Sequence, residues 1–353
     1  MMWEIDKRDI LKWLKNLKRD FEVIAPVDVH EEVLFMPLSN DTEITLDYTN
    51  TLESPKEFFL PKTEEMFSFK KKGEDFKITS KIDDKKRVLF GIRPCDVNAL
   101  TLLDEVFGGK YRDPYYFSRR ENTTIVAMTC TKPDINCFCD SMGTGPSLSK
   151  DFDLLFTELD ETYLVEVGTN KGEEILKLKK DLFKEADETR RDEKKRKIEA
   201  AKKRIKRHID PFEISRKLKY VDDDVWRKLG ERCIGCGGCS HICPTCHCFD
   251  VRDMSVDESG KRLRYWDSCI FSGFTRMADG VNPRETKESR MKQRYNCKFN
   301  YFFERYERFG CVGCGRCTNV CLGNIKMVEF LKELKVVILT ENGKDHKKDE
   351  RYI

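Results

Sequence analysis

Two runs of cysteine carry a spacing that iron–sulfur chemistry uses. Cys233, Cys236, Cys239 and Cys243 follow C-x2-C-x2-C-x3-C and precede Pro244; Cys311, Cys314, Cys317 and Cys321 repeat the pattern, with Leu322 in place of proline. A [4Fe–4S] cube needs four thiolates. The close spacing lets three from one run reach three corners of one cube, and in two-cluster ferredoxins the fourth binds the other cluster. Gly235, Gly237, Gly238, Gly313 and Gly315 lie between the thiols, allowing tight turns and backbone amides aimed at sulfide. The expected ligand sets are Cys233, Cys236, Cys239 with Cys321, and Cys311, Cys314, Cys317 with Cys243, holding two [4Fe–4S] clusters. Zinc also takes CxxC pairs, but as two separated pairs rather than two intact four-cysteine runs. Two crossed clusters make a relay for electrons rather than a catalytic centre.

The chain has sixteen cysteines, so eight are left over. Cys95 follows the apolar run VLFGI (88–92), Cys130 follows TTIVAMT (123–129), and Cys137 and Cys139 sit in the Gly-rich segment after it. If the two runs are adjacent parallel strands, Cys95 and Cys130 share one sheet edge with Cys137 and Cys139 in reach. These four thiols offer a third [4Fe–4S] cluster; the same four also suit paired buried thiols or a redox disulfide. Cys246, Cys248 and Cys269 form a looser set that either packs around the cluster loops or makes a further metal or thiol-redox site. Cys297 reads as structural, and His241 and His247 as surface or tuning groups.

The elements that position these groups follow from periodicity and composition. Residues 1–170 read as a mixed α/β domain with strands at 88–92 and 123–129, a helix over 96–109 and a hairpin-like pair at 152–159 and 162–167. The first twenty residues, MMWEIDKRDILKWLKNLKRD, carry an amphipathic helix pattern. Residues 171–220 read as a charged helical linker: from Arg190 to Arg207 there are eleven Lys/Arg against three acids. That run suits either a solvated linking helix or a docking helix for an acidic partner. Residues 221–335 read as a dicluster ferredoxin-like domain with a basic, aromatic insert at 249–310, and 336–353 as a tail. The roughly 67 residues between the motifs are too many for a compact bacterial ferredoxin and point to flanking helices. The fold class is therefore α+β, an N-terminal mixed α/β domain followed by a C-terminal helical dicluster ferredoxin-like domain.

Composition sets the outer bounds. In 353 residues the charged fraction is 37% and the net charge only +3, which excludes nucleic-acid binding driven by bulk charge. There is no run of eighteen apolar residues and no secretory h-region, so a cytoplasmic chain with no membrane span is expected. Cysteine this abundant outside a disulfide-rich miniprotein means metal or redox chemistry in a reducing, anaerobic setting. No G-x-G-x-x-G follows a strand, and no Walker A or G-x-S-x-G motif occurs.

The ordered set GIRPCDVNAL, CFCDSMGTGP, CPTCHCFD, RYWDSC and CVGCGRC, with SPKEFFLP upstream, resembles a family of iron–sulfur subunits. That family contains the iron–sulfur subunit of anaerobic sulfite reductase and the β subunit of cytosolic sulfhydrogenases. The resemblance covers about residues 50–330. It implies a non-catalytic electron-transfer subunit of a soluble complex. Its partners would be a flavoprotein subunit that binds FAD and NAD(P)H and a catalytic subunit of hydrogenase or sulfite reductase type. A second reading makes this chain catalytic, with a substrate site at the N-terminal cysteines and the 139–146 loop.

Overall fold

Two apolar runs, Arg87–Ile92 and Thr123–Met128, are buried along their whole length. They lie parallel at the middle of an eight-stranded sheet, where strands covered on both faces must be apolar on both. The computed structural model describes residues 2–39 and 42–334; the expected tail at 336–353 and the last residue of the 221–335 segment lie outside them. In chain order the first half runs β1 (Met2–Asp6), α1 (Ile10–Leu17), β2 (Glu22–Val29), β3 (Glu32–Pro37), β4 (Thr63–Lys72), β5 (Asp75–Ser80), β6 (Arg87–Ile92), α2 (Pro94–Phe107), α3 (Pro114–Glu121), β7 (Thr123–Met128), β8 (Leu154–Glu158), β9 (Thr162–Val167), α4 (Asn170–Lys177) and β10 (Phe183–Glu185). The large sheet has the order β10-β1-β9-β8-β7-β6-β2-β3, with β2, β6, β7 and β8 parallel and the outer strands antiparallel.

Each face of this sheet has its own core. Val88, Phe90, Val126 and Met128 face α1, where Trp13 stacks on Phe156 at 5.6 Å and meets Phe90 edge-on at 6.1 Å. Leu89, Ile92, Ile125 and Ala127 face α2 through Val97, Leu100 and Leu103. Two local expectations need correction. The first residues are a strand, not the start of a helix: Trp3 and Ile5 are buried in alternation between β9 and β10, and that period of two overrides the helical pattern. The helix expected over 96–109 runs instead from Pro94 to Phe107, because proline at the first helical position needs no amide partner and presets φ. Cys95 is thereby carried on the first turn of α2 rather than in a loop.

The second half continues with α5 (Thr189–Arg204), α6 (Pro211–Leu218), α7 (Asp223–Arg232), α8 (Gly238–His241), β11 (Phe249–Val256), β12 (Ser259–Trp266), α9 (Lys287–Asn296), α10 (Phe302–Tyr306), α11 (Arg316–Asn319) and α12 (Met327–Lys332). The basic α5 is fixed to the large sheet by Arg190–Glu4 at 2.9 Å, Lys197–Asp160 at 2.9 Å and a Lys194–Glu166 pair. Part of the expected insert forms a hairpin, β11–β12, and this joins β4–β5 in a four-stranded antiparallel sheet. Buried charge locks it in place: Arg264, 2% exposed, donates to Glu64 at 2.7 Å and pairs with Asp113, while Arg119 reaches Glu64 at 2.7 Å. Behind the cluster motifs α7 packs on α9 through Trp226 and Tyr295, ring centroids 5.9 Å apart.

Candidate iron–sulfur centre

Each four-cysteine run is an open loop closing on a one-turn helix, α8 in the first and α11 in the second. The residue before each helix is a left-handed glycine, Gly237 at φ 72° and Gly315 at φ 76°. Gly237 is also hemmed in, since a Cβ there would stand 2.5 Å from the Phe271 ring. Cys233, Cys236 and Cys239 line a cavity of about 40 Å³ together with Cys321 from the other run. Cys236 is exposed, as are Ile234 within the same loop, at 59%, and Leu322 directly after Cys321, at 78%. The first loop therefore opens to solvent.

The second loop is buried against the N-terminal half. Cys243, from the first run, lies within electrostatic reach of Cys311, Cys314 and Cys317. Burial pushes the Cys311 thiol up to about 12, against a backbone amide from Gly313 that pulls the other way. Metal ligation must therefore displace protons from these thiols. Several bonds pin the loop: Phe138 N donates to Gly313 O at 2.8 Å, Thr144 Oγ1 to Val312 O at 2.7 Å, and Asn50 Nδ2 to Cys314 O at 3.0 Å. Arg316 and Asp96, both nearly inaccessible, form a bidentate pair with two bonds of 2.8 Å. Gly313 sits at the tightest point, with φ 64° and an imagined Cβ 2.6 Å from Cys139 N. Gly313→Ala is expected to cost about 1–2 kcal/mol for the left-handed backbone alone, and more for the overlap. The measurement is a lower midpoint for loss of visible absorbance on heating, with Gly273→Ala, which meets open space, as the silent control.

The N-terminal cysteines converge on this same loop. β6 and β7 are parallel neighbours, so α2 and the segment after β7 leave one end of the sheet. Cys137 lies in reach of Cys139, Cys130 and Cys314, Cys139 of Cys130 and Cys314, and Cys95 of Cys314 and Cys139. Asn50 links them, its amide nitrogen 3.8 Å from Cys137 Sγ and its oxygen 4.0 Å from Cys95 Sγ. Burial pushes Cys95 well above the usual thiol range and Cys139 up to about 12.

Sequence reasoning missed the buried lysines around the first run; Arg294, one of the arginines of the insert, it allowed as a cluster contact. Lys56, 2% exposed, donates to Cys243 O at 3.0 Å and Cys246 O at 2.9 Å and lies 4.0 Å from the Trp266 ring centroid. Arg294 donates to Cys239 O at 2.9 Å and points a second nitrogen at Cys246 Sγ, 3.8 Å away. Burial opposes its charge, yet the cysteines around it, Cys239 and Cys246 foremost, raise its pKa well above the ordinary value. No residue-type signal marks a lysine or arginine for burial; only adjacency to cysteine, as in Lys298, hints at it. Among the described residues no three Cys, His, Asp or Glu side chains converge on a point that one metal ion could occupy. A cubane keeps its four thiolates apart by its own width, whereas a single zinc ion draws them to one point. Left-handed glycine cradles, convergent thiols and nearby buried cations together fit the [4Fe–4S] group.

Comparison with known proteins bears on this donor set. Residues 232–325 match the family described as a 4Fe-4S dicluster domain. The chain is 36% identical over 326 residues to sulfhydrogenase 2 subunit beta of Pyrococcus furiosus, an alignment covering 92% of this chain and 95% of that one. No solved structure matches it. No helix among the described residues is long and apolar enough to cross a membrane. With its paired cysteine loops inside the matched segment, the chain is an iron–sulfur electron-transfer protein and belongs to the family of sulfhydrogenase β subunits.

Proposed function

We propose that this chain is the electron-relay subunit of an oxidoreductase complex, joining an FAD-containing, NAD(P)H-linked flavoprotein subunit to a hydrogenase-type catalytic subunit. Cys233, Cys236, Cys239 and Cys321 hold one [4Fe–4S] cluster, and Cys311, Cys314, Cys317 and Cys243 a second. Cys95, Cys130, Cys137 and Cys139 supply the donors for a third. When bound, such clusters each take up and release one electron, with potentials set by burial, charge and hydrogen bonds to sulfur. The carrying observation is the order of the thiol groups: an exposed loop at Cys236, a buried loop at Cys314 behind it, and the N-terminal thiols packed against that. Phe138, Ile270, Tyr295 and Phe299 pack apolar side chains behind the loops, keeping water from their inner side. Gly237 and Gly313 fix the backbone turns, and Lys56 and Arg294 favour whatever negative charge the site carries. The alignment partner is itself named as a hydrogenase subunit, which favours hydrogenase over sulfite reductase chemistry for the catalytic partner.

Ile234, in the Cys236 loop, and Leu322, next to Cys321, are exposed and are the contact through which a partner docks. Ile234→Asp with Leu322→Asp is expected to leave iron content unchanged and to slow pyridine-nucleotide-linked turnover of the assembled complex about tenfold or more, as loss of central apolar contacts does. The flavoprotein's own reduction of a dye by NAD(P)H should be unaffected. Hydrogen uptake by this chain alone would overturn the relay reading.

A further inference from the structure

Four of the remaining cysteines line one cavity. Cys246, Cys248, Cys269 and Cys297 come from three separate segments, yet all face a space of about 260 Å³ whose walls also include Arg294 and Lys298. The CPTCHC segment brings Cys246 and Cys248, the RYWDSC segment after β12 brings Cys269, and the helix following Thr286 brings Cys297. A bond from Asp267 N to Cys248 O at 3.0 Å ties the first two segments together, and the thiols of Cys248 and Cys269 are hydrogen-bonded to each other. The third segment is distorted: between α9 and α10 the helix widens into a π turn over Cys297–Tyr301. Such distortions recur at functional sites because they re-aim side chains.

Charge is what separates this cavity from a packing of small apolar residues. Arg294 and Lys298 are each 3% exposed, and neither has a carboxylate partner among the described residues. Lys298 donates only to Thr245 Oγ1, at 2.6 Å, and Arg294 only to Cys239 O and Cys246 Sγ. Two buried cations without a carboxylate are costly, and thiolates are the groups placed to offset them: Cys246 Sγ stands 3.8 Å from Arg294, and Cys243, Cys246 and Cys297 surround Lys298. Four thiolates around ferric and ferrous iron in the cavity keep that negative charge in place. A disulfide leaves two thiols and both cations unanswered. A single zinc ion needs the sulfurs drawn to one point, where no three of these groups meet.

We infer that Cys246, Cys248, Cys269 and Cys297 hold an additional iron–sulfur cluster of the [4Fe–4S] type, with Arg294 and Lys298 balancing its negative charge. Cys297, which reads as structural in the sequence, is then a ligand. The site adjoins Cys243, whose thiol is hydrogen-bonded to Cys246, so this cluster stands next to the second ferredoxin centre. With it, each of the sixteen cysteines has a cluster to serve. The inference does not depend on which partners the chain serves.

The test is iron and sulfide content with low-temperature EPR on the full chain purified anaerobically. Cys269→Ala and Cys297→Ala should each lose about four iron atoms relative to the unmodified chain. Their double variant should lose no more than either alone, and the signals of both ferredoxin-type clusters should persist. Unchanged iron in both single variants, or zinc bound in place of iron, would overturn the proposal. A second arm avoids disturbing the cavity: Cys137→Ala removes any N-terminal cluster and should leave about twelve iron atoms. About eight in that variant would sink the proposal whatever the cavity variants do.

Discussion

Cys321→Ala should abolish the cluster of the first cysteine run and spare that of its own. Cys321 lines the cavity formed by Cys233, Cys236 and Cys239, while Cys243 stands in reach of Cys311, Cys314 and Cys317. Removing one of four thiolates empties the cube or converts it to a three-iron form. Alanine is the informative choice because serine retains an oxygen that can ligate. The variant should therefore share its lost EPR signal with Cys236→Ala, and Cys243→Ala should share its own with Cys314→Ala. Iron should fall by up to about four atoms per chain in each. Electron flow through the assembled complex should fall by several orders of magnitude, because the gap left exceeds the step between neighbouring clusters. A spectral deficit common to Cys321→Ala and Cys314→Ala would mean that each run serves one cube alone, and the crossed arrangement would be wrong.

Local spacing made the cluster loops legible, because a thiolate's role depends on a few neighbours and on glycine where the turn must be tight. Continuous apolar runs did the same for β6 and β7, since a strand buried on both faces shows it at every residue. What the sequence concealed depends on partners far along the chain. The β11–β12 hairpin reads as a basic insert because its first strand, FDVRDMSV, is exposed throughout. Its fixing points are Glu64 and Asp113, some 150 to 200 residues away. At the second cavity the sequence allowed a further site for Cys246, Cys248 and Cys269 but left out Cys297, because the helix that brings it to the same space comes from a distant segment. Buried Lys56 and Lys298 look like any surface lysine until the thiols around them are seen.

Asp96→Ala and Arg316→Met should each destabilise the junction between the N-terminal thiols and the second cluster loop by about 3–5 kcal/mol, the usual cost of stranding one partner of a buried ion pair. Asp96 lies on α2 one residue after Cys95, and Arg316 opens α11 between Cys314 and Cys317. At 1% and 2% exposure neither lone charge can recruit bulk water. The double variant Asp96→Leu/Arg316→Met strands no charge and should recover most of the loss, less the bonds from Arg316 to Thr51 O at 3.0 Å and from Ser54 Oγ to Asp96 at 3.2 Å. Heating under anaerobic conditions, with visible absorbance reporting cluster loss, gives the two single midpoints and the double one. If the three shifts simply add, the pair is two independent contacts and not a coupled clamp. The functional consequence follows from position. The clamp holds Cys95 and Cys314 in one rigid body, so each single variant should slow electron transfer beyond the second cluster before it lowers iron content. A gap that widens by a small distance costs rate sooner than a loosened ligand costs metal.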